Sequence, residues 1–287
     1  MKQRNPLTRQ VRQSVLFGIF LCAACVAGGY ILRANQNKAV GCTWEDLADT
    51  RALMTAQGAD SAQQGQEGEK VVYLTFDDGP SATTERVLDT LKEEGVPASF
   101  FVMAAENNEK YLPTLERTAA EGHLIALHTC THEYKDIYSS PEAYWADLEA
   151  LREKLMPYVP PETQIKWIRF PGGSSNTVSH RYGGSGIMKE LKAQAAERGF
   201  TYVDWNVSAE DAVGGHPSAS TIYNNIVREV GEKTSCIVLM HDTNATKNTA
   251  AALPDVIHWF KNAGYRFDTV DHLPPEPEKP VGEKEKA

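Results

Sequence analysis

Between residues 71 and 270 the chain alternates short apolar runs with longer amphipathic ones. Seven runs rich in β-branched and aromatic residues have the length and composition of strands: VVYLTF (71–76), ASFFV (98–102), HLIALH (123–128), KWIRF (166–170), TYVDWN (201–206), CIVLMH (236–241) and YRFDTV (265–270). Between several of them, apolar residues recur at three- and four-residue spacing. Ala82–Glu94 carries Val87, Leu88 and Leu91 on one face, and 141–156 carries Leu148, Leu151 and Leu155. Segments 187–198, 221–230 and 250–263 read the same way, so five helices are predicted. Gly95, Gly122, Gly199 and Gly264 each stand just before a predicted strand, where a glycine commonly stops a helix. Such alternation predicts an α/β fold with a mostly parallel sheet and helical crossovers. Near-continuous apolar strands predict a sheet covered on both faces, and a barrel and an open sheet both satisfy the pattern.

Outside that region the pattern changes. Residues 15–32 contain no charged side chain, and at 1.5 Å per residue they span about 27 Å, enough to cross a bilayer core. Lys2, Arg4, Arg9 and Arg12 precede the run and Arg33 follows it, which orients the N-terminus to the cytoplasm and the remainder outside. The expected organisation is a basic segment 1–13, a transmembrane signal-anchor 14–33, an Ala/Gln/Gly-rich spacer 34–70, a folded domain 71–272 and a Pro/Glu/Lys tail 273–287. A short helix over 44–54 is compatible with the spacing of Trp44, Leu47, Leu53 and Met54. A cleaved signal peptide is the competing reading, with a poor small-x-small site at Cys25-Val26-Ala27. A lipid anchor on Cys25 is disfavoured by Cys22 standing where that signal has leucine. All three readings export the bulk of the chain.

Charge sharpens this division. The net charge of −9 combines +5 in the first 33 residues with −14 in the rest, and so acidic a body argues against a nucleic-acid partner. Of five cysteines, Cys42, Cys130 and Cys236 lie beyond the apolar run, and the latter two fall in segments expected to be interior as reduced thiols.

In parallel α/β folds function gathers at the C-terminal ends of strands, and unusual polar residues stand there. The first run ends in Asp77-Asp78-Gly79-Pro80 and the third in His128-Thr-Cys-Thr-His132. The fourth ends in Arg169-Phe-Pro-Gly-Gly173, Glu210-Asp211 follow the fifth, and the sixth ends in His241-Asp242. Two imidazoles four residues apart, with one carboxylate, suit Zn²⁺ or another first-row ion. Adjacent aspartates cannot point to one place, so one of Asp77 and Asp78 can bind metal while the other takes the proton of an attacking water. Arg169 can hold a carboxylate ionised, His241 can protonate a leaving group, and the Pro171-Gly172-Gly173 turn can bring a backbone N–H against a reacting centre. Taken singly each motif has a plainer meaning: H-x-x-x-H is common, Asp-Asp-Gly-Pro is usually a turn, and Leu239, Met240, Phe170 and Trp205 read as core. Their joint position along one sheet edge is what packing does not explain. His123, His180, His216, His258 and His272 lack any partner pattern and are expected on the surface or in the core without a role.

TFDDGP (75–80), HTCTH (128–132), RFPGG (169–173), DWNVSAEDA (204–212) and LMHD (239–242) occur in an order that resembles the polysaccharide deacetylase family, carbohydrate esterase family 4 with its NodB homology domain. The resemblance covers roughly residues 70–271. It implies a distorted (β/α)7 barrel and metal-dependent deacetylation of N-acetylated sugars. By position it implies Asp77 as base, Asp78, His128 and His132 as metal ligands, and Arg169 as orienter of the base. It further implies the Gly172 amide as oxyanion donor, Leu239 in the acetyl-methyl pocket, His241 as general acid and Asp211 as its support. The metal would be Zn²⁺, with Co²⁺ or another first-row ion as alternatives. Two positions depart from the family pattern: Gly172 replaces an aromatic residue, and Ala212 stands where Trp is usual, with Trp205 a neighbouring substitute. The expected substrate is a polymeric amino-sugar glycan, peptidoglycan N-acetylglucosamine first, then chitin oligomers, then acetylated xylan. A non-catalytic wall-glycan-binding module and a metal hydrolase of another substrate are the other classes.

Overall fold

The first strand, β1 (Lys70–Asp77), lies at the centre of the sheet, its last six side chains all buried. The computed structural model describes residues 69–161 and 163–274. The expected basic segment, signal-anchor, Cys42 and nearly all of the spacer and tail lie outside the described residues. Among the described residues no helix is long and apolar enough to cross a membrane.

After β1 come α1 (Ala82–Glu94), β2 (Ser99–Met103), α2 (Glu106–Glu109), α3 (Thr114–Ala120), β3 (Leu124–Thr129), α4 (Tyr134–Ile137), α5 (Pro141–Leu155) and β4 (Trp167–Ile168). Then follow α6 (His180–Gly183), α7 (Ile187–Glu197), β5 (Thr201–Tyr202), β6 (Val207–Ser208), α8 (Ala219–Val230), β7 (Ser235–His241), α9 (Lys247–Asn262) and β8 (Tyr265–Asp268). The five predicted helices form within a few residues of their periodic segments. Local chemistry sets their ends: the Ser81 hydroxyl accepts the Thr83 N–H at 2.9 Å to cap α1, and Gly95 closes it in a left-handed conformation at φ 64°. The short helices α2, α3, α4 and α6 carry too little periodicity to be legible.

Every strand pairing is parallel, in the order β5-β4-β3-β2-β1-β7-β6. One edge of β1 pairs with β7 along its length; the other is shared by β8 at Lys70–Tyr73 and β2 at Thr75–Asp77. Three strand expectations change. The run 166–170 is a strand only at Trp167–Ile168, because Pro171 has no N–H and the chain turns there. The run 201–206 breaks into β5 and β6, because the carbonyls of Val203 and Asp204 accept the Arg169 guanidinium instead of joining a ladder. The run 265–270 ends at Asp268 and passes into a 3-10 turn over Val270–His272. The edge strands β5 and β6 do not pair with each other, so the sheet is a curled half-barrel rather than a closed seven-strand barrel.

Alternation along the strands separates two layers. Val72, Leu74 and Phe76 pack outward with Phe100, Leu127 and Val238 against Val87, Leu88, Leu148 and Leu253 of the helices. Tyr73, Phe101, Ala126, Val203 and Val270 form a smaller cluster within the curl. Following this inner face toward the strand C-termini, apolar side chains give way to Thr75, Asp77, His128, Arg169 and His241.

Candidate active site

Strand register assembles the site. Asp77 and His241 are direct partners across β1 and β7, as are Thr75 and Leu239. Arg169, the residue after β4, is fully buried and reaches Asp77 and Thr75 across the curl. Its Nη1 donates to Asp77 Oδ1 and to Thr75 Oγ1 at 2.8 Å each, its Nε to Val203 O at 3.0 Å, and its Nη2 to Asp204 O at 3.2 Å. Its plane lies 4.0 Å above the Phe101 ring. A guanidinium out of water is tolerated only with partners of this number and sign. Asp77, itself buried, is thereby held with one oxygen toward Arg169 and the other 4.0 Å from His128 Nε2.

The next residue turns the other way. Asp78 has φ 70°, and its N–H donates to Phe101 O at 3.2 Å. Its Oδ1 is buried without a hydrogen-bond partner among the described residues and stands 3.5 Å from His128 Nε2 and 3.6 Å from His132 Nε2. His128 is the penultimate residue of β3, and its Nδ1 donates to Arg169 O at 2.7 Å, which leaves the Nε2 lone pair facing Asp78. Burial pulls the His128 pKa down despite the opposing charges of Asp77 and Asp78, favouring the neutral imidazole. One oxygen and two imidazole nitrogens thus lie within 4.8 Å of one another. An orphaned buried carboxylate oxygen beside a tautomer-locked imidazole is the donor set a divalent first-row ion takes, so the residues fit such an ion.

The opposite side is saturated. His241 Nδ1 donates to Asp211 Oδ1 at 2.8 Å, and Asp211 Oδ2 accepts the His241 N–H and the Thr249 hydroxyl, both at 2.7 Å. Burial works against the His241 proton, but the Asp211 hydrogen bond and the carboxylates of Asp211, Asp77 and Asp78 outweigh it. The pKa is pushed up to about 9, and the imidazole carries its proton at neutral pH.

All ten residues singled out from the sequence fall on this rim or just beneath it. Leu239 is buried beside Thr75. Gly172 is exposed at φ 77°. Trp205 lies against Gly173, where an added Cβ would meet its ring at 3.3 Å. Cys130 and Cys236 are buried, as expected, and form no disulfide among the described residues. His123 is buried, its Nδ1 accepting the Ala98 N–H. The exposed rings of His258 and His272 hydrogen-bond to Glu94 and Asp268.

Several supporting residues escape sequence reasoning because their partners are distant in the chain. Asn108 Nδ2 donates to the carbonyls of Asp78 and Pro80 at 2.9 and 3.1 Å. Asp147 of α5 accepts the Cys130 N–H at 2.5 Å and the Thr131 hydroxyl at 2.7 Å, clamping the loop that carries His132. The Asp204 carboxylate accepts Ser174 N–H and Oγ–H at 2.8 and 2.6 Å. Asp242 is fully buried, accepts the Thr84 hydroxyl at 2.5 Å, and is pushed up to about 7 by burial, with the Asp78 charge adding to it. Its carboxylate occupies the space a side chain at Gly79 would need.

The motif order that resembles a known family has direct counterparts among known proteins. A family model described as Polysaccharide deacetylase matches residues 64–196. The putative polysaccharide deacetylase YheN of Bacillus subtilis (strain 168) is 32% identical over 207 residues, 71% of this chain and 68% of its own. A peptidoglycan-N-acetylglucosamine deacetylase of Bacillus cereus is 31% identical over 216 residues, 73% of this chain and 72% of its own. Among solved structures, the catalytic domain of peptidoglycan N-acetylglucosamine deacetylase from Eubacterium rectale ATCC 33656 superposes with a TM-score of 0.68 at 34% identity. That match covers 78% of this chain and all of the other.

Proposed function

Because the chain belongs to the polysaccharide deacetylase family, we propose that this hydrolase removes N-acetyl groups from glucosamine in peptidoglycan at the outer face of the membrane, tethered by residues 14–33. The observation that carries the reading is the meeting of Asp78, His128 and His132 with two oriented proton-transfer pairs, Arg169–Asp77 and Asp211–His241. The substrate assignment draws on relatives named for peptidoglycan N-acetylglucosamine.

A divalent ion on Asp78, His128 and His132, Zn²⁺ or Co²⁺ by its donors, would supply Lewis-acid polarisation and acidify water. Asp77 takes the proton of the attacking water through the oxygen that Arg169 leaves uncommitted. The Gly172 N–H donates to the acetyl oxygen as its charge grows. Leu239 lines the pocket for the methyl group, and Trp205 walls the side that Ala212 leaves open. His241, protonated at neutral pH and steered by Asp211, gives its proton to the departing nitrogen, releasing glucosamine and acetate.

The test is acetate release by the full chain from peptidoglycan, N-acetylglucosamine oligomers and acetylxylan, with added Zn²⁺ or with chelator. Release from the first two, abolished by chelator and restored by metal, is expected. Release from acetylxylan alone reassigns the substrate. No release from any with metal present overturns the catalytic reading in favour of a glycan-binding module.

A further inference from the structure

The peptide between Pro171 and Gly172 is the middle of a turn that could face two ways. Gly173 N–H donates to Phe170 O at 2.7 Å, so residues 170–173 form a hydrogen-bonded β-turn. Proline at its second position and φ 77° at Gly172 in the third make it type II. A type I turn differs by a flip of that central peptide, and glycine in the third position allows both. The flip would exchange the Gly172 N–H for the Pro171 carbonyl. Where the reaction needs a donor, an acceptor would stand.

The flanking peptides have their own anchors. Asn176 Nδ2 and Asn176 N–H donate to Gly173 O at 2.8 and 3.2 Å, and Ser174 N–H is held by Asp204. The central peptide has one bond among the described residues. The hydroxyl of Tyr138, fully buried at the end of α4, donates to Pro171 O at 2.8 Å. The bond is trans, so fixing the carbonyl toward Tyr138 turns the Gly172 N–H to the opposite side. That N–H makes no hydrogen bond among the described residues. Tyr138 is locked in turn by stacking on Tyr144 at 6.0 Å and by edge contact with Tyr134 at 5.5 Å. A Cβ on Gly172 would stand 2.8 Å from the Tyr134 hydroxyl at a φ of 77° that L side chains rarely adopt, so no side chain of residue 172 itself steers the turn.

We propose that Tyr138 is a positioning residue that holds the Pro171–Gly172 peptide in the one orientation presenting its N–H to the reacting acetyl oxygen. A hydrogen bond at the carbonyl also polarises the same amide and strengthens its N–H as a donor. The inference rests on the reading that Gly172 serves the oxyanion.

Tyr138→Phe tests it, since the ring and its stacking remain. Loss of an oxyanion donor costs about 10²- to 10³-fold in kcat, and an untethered donor should cost about tenfold or more, with KM changed less than about twofold. Metal content should stay at the wild-type value. In ¹⁵N-labelled protein the Gly172 amide, one signal in the wild type, should broaden or split as both turns are sampled. Tyr144→Phe is the control: it removes from the same aromatic stack a buried hydroxyl with no hydrogen-bond partner among the described residues. Its kcat should stay within about twofold of wild type, since no bond is broken. An unchanged kcat, or an unchanged Gly172 signal, in Tyr138→Phe overturns the proposal. If that variant does not fold, the wild-type Tyr138 hydroxyl proton decides: a resolved, slowly exchanging resonance supports the tether, and its absence overturns it. A wild-type protein that releases no acetate defeats the deacetylase reading, and the amide signals still judge the peptide. A wild-type protein that turns over while Tyr138→Phe keeps its kcat defeats only the positioning role.

Discussion

The two halves of the site are built on opposite principles. On the side of Asp77, Arg169, Asp211 and His241, nearly every donor and acceptor already has a protein partner between 2.7 and 3.2 Å away. On the side of Asp78, His128 and His132, the carboxylate oxygen stands 3.5 and 3.6 Å from the two imidazole nitrogens and has no hydrogen-bond partner among the described residues. Saturated groups are oriented in advance and need nothing from outside. Unsaturated groups that converge are stable only if something arrives to satisfy them. The first arrangement suits proton transfer, where angle and protonation state must be set beforehand. The second suits a cation.

The sharpest way to break this comparison is to remove one member of each half. His128→Ala should lose bound metal and turnover together, whereas Asp77→Asn should keep metal and lose about 10³-fold or more in kcat. Metal stoichiometry measured beside acetate release checks both, and loss of metal in Asp77→Asn would mean the halves are not separate.

A smaller effect probes the saturated half alone. The His241 pKa lies at about 9, above its ordinary 6.5, so the proton is held below about pH 9 and lost above it. The stability contributed by the Asp211–His241 pair is therefore fully present below about pH 6.5 and lost as pH rises through about 9. The alkaline limb of kcat should fall near that value. Asp211→Asn removes the charge that raises it, so the limb should move down by about a unit or more. A pH–rate profile that does not move would detach Asp211 from the acid.

Smallest is the effect of crowding the loop beneath both halves. In Gly79→Ala the new methyl would meet the Asp242 carboxylate at 2.3 Å. It should cost about 1–3 kcal/mol of stability, read as a lowered denaturation midpoint, with a secondary loss of activity. No change in midpoint would mean that this contact yields freely.

What the sequence determined is local. Helix α1 begins at Ser81 and stops at Gly95 because cap hydrogen bonds and left-handed backbone involve neighbouring residues. The strands appear where β-branched runs occur, and the chemistry-bearing residues follow them because each lies at the end of such a run. Motif order also points to ten candidate site residues, each standing at or near the end of such a run. What only the tertiary structure decided depends on contacts across tens of residues. Between β5 and β6, Arg169 takes the carbonyls of Val203 and Asp204 from 34 and 35 residues away. The loop bearing His132 is clamped by Asp147, a polar residue in a helix that periodicity reads only as amphipathic. Tyr138 reads in the sequence as one more aromatic, and it becomes the anchor of a peptide only because the fold brings its hydroxyl 2.8 Å from Pro171, 33 positions on. Periodicity reports which side of an element is buried; it carries no information on which distant carbonyl or carboxylate a buried polar atom will find there, and in this molecule those pairings are what aim the site.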